Sequence, residues 1–360
     1  MTIPAQGSAP VPAPPSASPD HVAKKAITPR AGSAHTRIVS VGAYRPGRVV
    51  TNADICTTID STDEWIRTRS GIESRRMAPP DVSMIDMAAA AGRDALTRSG
   101  LPAEEIGAVL VATRTHLRPT PSAAAVIAHR MGVAPAAAMD LAAGCAGFCH
   151  AVALGSDLVK GGTARQVLVI GAEKVSLFLD PTDRSTAFLF ADGAGAAVIG
   201  PSDSPQIGPT VWGSDGSQAE VITARTSWTQ YRDEPGASWP FVTMQGQSVF
   251  RWAVFAMAKA AQAALDAARV SAADLTAFVP HQANLRIIEA LAKKLRLPDH
   301  VVIARDVVTA GNTSAASVPL AIDALLTDQA AGGPRVSGGL ALLIGFGAGL
   351  CYAAQVVELP

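Results

Sequence analysis

The chain has 360 residues, 48% of them hydrophobic and 17% charged, and its 30 basic residues balance 30 acidic ones. That length allows one large domain or two ordinary ones around a well-buried core. The neutral balance excludes a whole-chain field that would attract nucleic acid or a membrane surface. The four cysteines include no CxxC pair and no metal-ligand spacing, which is typical of a reducing compartment, so we expect a cytoplasmic protein without a metal site.

Residues 1–36 are rich in Pro, Ala and Ser, a composition that predicts a disordered tail. This segment lacks the apolar run of a secretory signal. Its low acidic content fits a transit peptide, but its prolines oppose the amphipathic helix that such a peptide needs. Two α/β halves are predicted to follow, over about 37–205 and 206–360.

Internal similarity is the evidence for these two halves. Residues 100–113 resemble 269–282, and in each case an Ala-rich helical run leads through a turn into an apolar strand. Further along, 166–175 resemble 340–349. Any Ala- and Gly-rich α/β chain shows some self-similarity, but matches in the same order favour a duplication. Near-continuous apolar strands that alternate with helices indicate sheets buried on both faces.

The first half contains Cys145, in the segment AMDLAAGCAGFCHAV. Gly144 and Gly147 allow a strand to turn sharply into a helix and leave the thiol pointing outward between them. At a helix N-terminus the dipole favours the thiolate, so we predict that Cys145 is a nucleophile. The alternative is a small buried hydrophobe, which is how we interpret Cys149.

Two polar residues follow strand-like runs in the second half: His281 in FVPHQAN and Asn312 in TAGNTSAAS. Each has a structural alternative: His281 as a buried histidine, and Asn312 as a turn or N-cap residue. Asn312 occupies nearly the same offset in its half as Cys145 in the other, so the duplication predicts that the two meet. A Cys, a His and an Asn together fit acyl-thioester chemistry. Pro319 indicates that the next helix starts late or kinks.

Residues 336–357 carry no charge and are long enough to suggest a membrane span. Three glycines at 345, 347 and 349 divide the segment, however, so a buried β-hairpin is the better interpretation. These glycines and those near 193 do not form a dinucleotide motif, because no strand–turn–helix unit surrounds them. They favour close backbone approach, and the N–H of Ala348 is a candidate arm of an oxyanion hole.

Basic residues lie on the predicted helix after His281, opposite an apolar stripe. They are Arg286, Lys293, Lys294 and Arg296. Such residues form either a solvated face or a surface for an anionic partner, and the sequence alone leaves both open.

Five motifs occur here in one order: NADICTTIDSTDEWIRTRSGI, AGCAGF, DPTDRSTAFLFADGAGAAV, PHQANLRII and GNTSAASVPLA. From about residue 37 to the end the chain resembles the β-ketoacyl-acyl carrier protein synthase III family. The resemblance implies a thiolase-like α/β fold, with two duplicated halves and helices layered between and around two mixed sheets. It also implies a catalytic triad of Cys145, His281 and Asn312.

The resemblance further implies substrate contacts. Trp65 and Arg184 resemble the pair that stacks the adenine of coenzyme A, and Arg69 resembles a phosphate contact. Gly246, Phe250 and Asn284 resemble the lining of the pantetheine tunnel. Arg286, with Lys293 and Lys294, resembles the carrier-protein contact. Coenzyme A thioester is then a substrate, and no cofactor is expected.

Thr120 departs from the acetyl-preferring type of the family, in which a phenylalanine closes the acyl pocket across the dimer interface. The smaller threonine predicts a roomier pocket and a longer or branched primer, such as isobutyryl or isovaleryl. This role for Thr120 requires a homodimer, as the family implies. Ala348 stands where the family often has glycine, which matters little if only its N–H is used.

The implied activity is decarboxylative condensation of an acyl-CoA primer with malonyl-acyl carrier protein, through an acyl-Cys145 intermediate, which initiates fatty acid synthesis. Three alternatives remain. They are a starter-unit synthase or acyltransferase of natural-product (polyketide) assembly, a cysteine hydrolase, and a catalytically silent scaffold that binds carrier protein.

Overall fold

Two five-stranded mixed sheets organise the protein, which is described by a computed structural model over residues 27–28, 30–133 and 135–360. Most of the tail predicted at 1–36 lies outside the described residues. The strands are β1 (His35–Tyr44), β2 (Arg48–Thr51), β3 (Ser74–Met77), β4 (Ile106–Ala112), β5 (Ala137–Leu141), β6 (Gln166–Lys174), β7 (Asp192–Ser202), β8 (Val211–Gly213), β9 (Ile222–Ala224), β10 (Val242–Met244), β11 (Ala277–Pro280), β12 (Val302–Ile303), β13 (Leu340–Phe346) and β14 (Tyr352–Glu358). The helices are α1 (Asn52–Ile55), α2 (Asp63–Ser70), α3 (Met84–Ser99), α4 (Ala123–Met131), α5 (Gly147–Lys160), α6 (Trp228–Asp233), α7 (Gly246–Ala268), α8 (Leu285–Lys294), α9 (Val307–Ala310) and α10 (Ser317–Ala330).

The two large sheets have the same topology. The first has the order β1-β7-β6-β4-β5 and the second β8-β14-β13-β11-β12. In each sheet the first three strands in this order pair antiparallel and the last three pair parallel. The predicted duplication is therefore confirmed, and the strands that resembled each other in sequence, β4 with β11 and β6 with β13, occupy equivalent places. The halves drawn at 37–205 and 206–360 stay an interpretation, because residues 31–360 form one compact unit.

Helices α5 and α10 lie between the two sheets and share one apolar core with both of them. A second core joins α3 and α4 to the outer face of the first sheet, and a third joins α7 and α8 to the outer face of the second. Both sheets are thus covered on both faces, which explains why their strands read as continuous apolar runs.

The uncharged segment near the C-terminus folds as predicted, into the antiparallel hairpin of β13 and β14. In the part of the chain that the structure describes, no helix is both long and apolar enough to cross a membrane. Helix α10 begins at Ser317, so Pro319 falls in its first turn, where no intrahelical N–H bond is lost.

A close approach between β6 and the turn before α10 positions the site. A side-chain carbon built at Gly171 would lie 2.2 Å from the carbonyl oxygen of Ala315. Only glycine therefore lets the turn Ser314–Ala316 pack against β6. This contact places the turn that leads into α10 directly against β6 of the first sheet.

Candidate active site

Cys145 lies in a 3₁₀ turn, Gly144–Ala146, between β5 and α5. The sequence indicated a sharp turn here, and Gly144 makes it in the left-handed region, at φ +53°. The residue keeps partial contact with solvent. Protein atoms nevertheless surround its sulfur, and this burial raises the pKa of the Cys145 thiol. The expectation that the helix dipole favours the thiolate was therefore wrong, because α5 begins only at Gly147 and burial disfavours the charged sulfur.

Asn312 is held by backbone hydrogen bonds to a segment of the first half. Its N–H donates to the Leu189 carbonyl and its own carbonyl accepts from Ala191 N, both at 2.9 Å. The side-chain Oδ1 accepts from Ser314 N at 2.9 Å, which fixes the carboxamide plane. Gly311, at φ +71° and ψ −172°, supplies the backbone turn that this arrangement requires.

His281 follows β11 directly and is almost fully buried, at 2% exposure. Its Nδ1 lies 2.6 Å from Ser317 Oγ, and Phe346 packs edge-on against the ring. Desolvation lowers the pKa of His281 to about 3, so the imidazole is neutral at physiological pH. Ser317 Oγ also accepts from Gln282 N, so its own proton is free for Nδ1. This favours the tautomer with the proton on Nε2, a hydrogen-bond donor.

One small cavity, of about 40 Å³, brings the three predicted residues together. Its remaining lining is mainly apolar: Phe190, Ile222, Val242, Met244, Val249, Trp252, Ala283 and Phe346. Such surroundings exclude water and strengthen every electrostatic contact inside.

Ala348 lines the same cavity, in a 3₁₀ turn after β13. A side-chain carbon built at Gly347 would lie 2.8 Å from Cys145 N, so this glycine permits the approach of the two backbones. In residues 27–28, 30–133 and 135–360, neither the Cys145 nor the Ala348 N–H donates to another residue's carbonyl. Both remain available as the two predicted arms of an oxyanion hole.

Sequence reasoning missed three polar residues around the thiol. Ser314 Oγ lies 3.3 Å from Cys145 Sγ, and it donates to Glu173 Oε1 at 3.1 Å. Burial raises the pKa of the Glu173 carboxyl as it does that of the Cys145 thiol, and the guanidinium of Arg114, which lines the cavity beside them, opposes both rises. A charged residue at the end of an otherwise apolar strand, as in VLVIGAEK, was the signal that could have identified Glu173.

A larger cavity, of about 520 Å³, leads from the surface to this site. It shares Met244, Val249, Ala283 and Asn312 with the small one, so the two are adjacent. All six residues expected to contact coenzyme A line it: Trp65, Arg69, Arg184, Gly246, Phe250 and Asn284. Arg251 and Arg286 line it as well, and no acidic side chain does so among the described residues.

Trp65 and Arg184 contact each other at the cavity mouth. The guanidinium carbon lies 4.3 Å from the ring centroid, and that of Arg69 lies at 5.8 Å. A base between Trp65 and Arg184 needs roughly 7 Å between their planes. Stacking of adenine by this pair therefore requires the exposed Arg184 side chain to swing outward.

The other predicted residues lie outside the small cavity. Arg286 packs over Phe250 at 5.5 Å, and Lys294 over the exposed Phe255 at 4.5 Å. Lys293 and Lys294 are exposed on α8 and do not line either cavity. Thr120 is exposed, in the loop before α4. It does not reach the Cys145 cavity within one chain, so its predicted role across a dimer stays a prediction.

No metal site is apparent in the described part of the chain, where no group of three or more His, Cys, Asp or Glu is placed to hold an ion. The polar groups that meet at the small cavity include the Cys145 thiol, a neutral imidazole, a carboxamide and two backbone N–H groups. Together with the duplicated fold, this arrangement is typical of the acyl-transferring condensing enzymes.

Comparisons with known proteins support the same class of enzyme. The 3-oxoacyl-[acyl-carrier-protein] synthase III family model matches residues 139–216, and the C-terminal model of the same family matches 265–359. The β-ketoacyl-[acyl-carrier-protein] synthase III of Streptomyces glaucescens is 53% identical over 334 residues, 93% of this chain and 99% of that protein. The mycobacterial enzyme of that name from Mycobacterium avium is 50% identical over 336 residues, with the same two shares.

Among solved structures, the priming β-ketosynthase from the R1128 polyketide biosynthetic pathway superposes with a TM-score of 0.89 at 49% identity, over 92% of this chain and 98% of that one. The protein is thus a thiolase-fold condensing enzyme, a transferase of acyl groups. It belongs to the β-ketoacyl-[acyl-carrier-protein] synthase III family.

Proposed function

We propose that the protein condenses an acyl-CoA primer with malonyl-acyl carrier protein to give a 3-ketoacyl-acyl carrier protein, and that this step initiates fatty acid synthesis. The observation that carries the proposal is the convergence of Cys145, His281 and Asn312 on one apolar cavity, at the end of an arginine-lined passage.

The first half-reaction is acyl transfer to Cys145. Coenzyme A enters the outer cavity, where Arg69 attracts its phosphates and Trp65 and Arg184 stack its adenine once Arg184 has swung outward. The Cys145 sulfur attacks the thioester carbonyl, and the N–H groups of Cys145 and Ala348 stabilise the oxyanion. The acyl group stays on Cys145 as a thioester, and coenzyme A leaves.

The second half-reaction is condensation. The malonyl thioester carbonyl accepts hydrogen bonds from His281 Nε2 and Asn312 Nδ2. Both donors are neutral and preorganised, because Ser317 fixes His281 and Ser314 fixes Asn312. They stabilise the enolate that forms as carbon dioxide leaves, and the enolate attacks the acyl-Cys145 carbonyl.

Carrier protein is expected to dock on the exposed basic side chains of α8, Arg286, Lys293 and Lys294, which complement an acidic partner. Thr120 supports a longer or branched primer, under the assumption of a homodimer in which the partner's loop closes the pocket. The compartment is proposed to be the cytoplasm.

The test combines purified protein, a panel of acyl-CoA primers and malonyl-acyl carrier protein. We expect carbon dioxide release that requires both substrates, together with a 3-ketoacyl product. H281A should retain acylation of Cys145 and lose decarboxylation. A strong preference for acetyl-CoA would contradict the primer assignment alone.

Priming of a polyketide pathway is the second candidate, because a priming β-ketosynthase of that kind is 49% identical. Carrier proteins from the two kinds of pathway, compared at equal concentration, separate the candidates by kcat/KM. Acylation without carbon dioxide release would indicate a pure acyltransferase, rapid release of free acid would indicate a hydrolase, and no acylation would indicate a silent scaffold.

A further inference from the structure

The buried carboxyl of Glu173 has no role in the mechanism above. It lies near the end of β6 with no exposed surface. Oε2 accepts hydrogen bonds from Thr115 Oγ1 at 2.7 Å and from Arg114 N at 3.2 Å, and Oε1 accepts from Ser314 Oγ at 3.1 Å. Burying a carboxyl is expensive, so one that lies beside a nucleophile is a candidate for a functional role.

Ser314 connects this carboxyl to the nucleophile. Its hydroxyl lies between Cys145 Sγ, at 3.3 Å, and Glu173 Oε1. Its backbone is held in the left-handed region, at φ +53°, and its N–H donates to Asn312. A non-glycine residue in that conformation is strained, so the surrounding structure fixes the hydroxyl at this point.

The thiol of Cys145 needs a proton acceptor. Burial raises the pKa of this thiol, because losing its proton to solvent would leave an additional charge in an apolar site. Transfer to a neighbouring carboxylate instead moves the existing charge without adding another. The two groups then titrate as a pair rather than independently.

We propose that Glu173 accepts the Cys145 proton through Ser314 when the nucleophile forms. The S–H bond breaks as its proton passes to Ser314 Oγ, and the Ser314 O–H bond breaks as its proton passes to Glu173 Oε1. One negative charge moves from the carboxylate to the sulfur, which attacks the thioester. The departing coenzyme A thiolate receives a proton by the reverse path, so the relay is reset.

Within the described parts of the chain, three titratable or charged side chains lie near this pair. Arg114, from the loop after β4, lines the cavity and stabilises the shared negative charge. His281, after β11, lines it too but is neutral. Lys174 follows Glu173 in sequence, yet its Nζ donates to the carbonyls of Pro79 and Val82 and so points elsewhere.

The decisive variant is E173Q, which keeps the size of the side chain and removes the base. The readout is the rate of Cys145 alkylation by iodoacetamide, followed by sequencing the labelled peptide, with C145A as blank. For the wild type we expect a rate that rises by much less than tenfold per pH unit around neutral pH, because the proton stays within the pair of Cys145 and Glu173. In E173Q it should rise about tenfold per pH unit and be at least about tenfold slower at pH 7.

If Glu173 takes no part in proton transfer, E173Q should change the alkylation rate in the opposite direction. Its charge raises the pKa of Cys145, so neutralising it would speed alkylation. An unchanged or faster rate in E173Q therefore overturns the proposal. S314A should slow alkylation like E173Q, and the double variant should be no slower than either one. If E173Q does not fold, S314A and the carboxylate-retaining E173D, expected to keep the shallow pH dependence, decide the question.

T313V is the matched control. Thr313 precedes Ser314, and its buried hydroxyl has no hydrogen-bond partner among the described residues, so its loss should not alter the alkylation rate. The inference rests on Cys145 being the nucleophile of the proposed function. Because alkylation requires neither substrate, a failed relay with intact acylation of Cys145 would leave that function standing.

Discussion

Replacing His281 by glutamine tests the claim that a neutral imidazole sits beside the nucleophile. Desolvation lowers the pKa of His281 to about 3 in the folded protein, whereas an unfolded histidine titrates near 6.5. Below pH 6.5 the unfolded chain therefore binds a proton that the folded chain does not. The contribution of neutral His281 to the free energy of unfolding is therefore fully present above pH 6.5, and it is lost as the pH falls from 6.5 towards 3.

The expected loss follows from these two pKa values. Between pH 7.5 and pH 5 the unfolded imidazole gains about 2 kcal/mol from protonation, while the folded one gains almost nothing. Urea unfolding of the wild type and of H281Q at both pH values gives the comparison. We expect the wild type to lose about 2 kcal/mol more than H281Q. Equal losses in the two proteins would show that His281 titrates normally when folded, and would refute the neutral donor.

Three further predictions follow from the geometry. W65A removes the stacking face at the cavity mouth, so the KM for acyl-CoA should rise about tenfold or more while kcat changes little. As a control, W212A, which lies outside both cavities, should leave steady-state kinetics unaltered. G311A forces a side chain into a glycine-only conformation, 2.7 Å from Arg75 Cβ. The free energy of unfolding should therefore fall by about 1–3 kcal/mol or more in chemical unfolding, and kcat should fall in a condensation assay. Wild-type stability in this variant would contradict the inferred backbone strain. T120F should lower kcat/KM for branched primers relative to acetyl-CoA, and an unchanged ratio would remove Thr120 from the acyl pocket.

The sequence predicted the architecture because its signals are local and repeated. Apolar runs of strand length, alternating with Ala-rich helices, indicate covered sheets. The match of 100–113 with 269–282 then placed β4 and β11 in equivalent positions. That symmetry also predicted the meeting of Cys145 and Asn312, which are far apart in the chain.

The sequence did not predict the groups that act through contacts between distant segments. Ser314 looked like part of a turn, and Glu173 looked like the end of a strand. They meet in the folded chain, where the turn that contains Ser314 packs against β6 at Gly171. The state of the Cys145 thiol was mispredicted for a related reason, since the helix dipole can be inferred from sequence but the desolvation of the sulfur depends on the packing around it.

The contact between Trp65 and Arg184 was equally beyond sequence reasoning. Their pairing came from the resemblance, but the 4.3 Å separation, which requires Arg184 to move before a base can enter, is a property of the folded side chains. Arg251, which adds charge to the same cavity, belongs to no motif that the sequence singled out.

Intact-protein mass spectrometry after exposure to acyl-CoA, without any malonyl substrate, tests the mechanism at its foundation. A single acyl group should appear on the wild type and be located on Cys145 by peptide sequencing, and C145A should remain unmodified. Acylation at another residue, or an equal mass increase in C145A, would contradict the assignment of Cys145 as the residue that carries the primer.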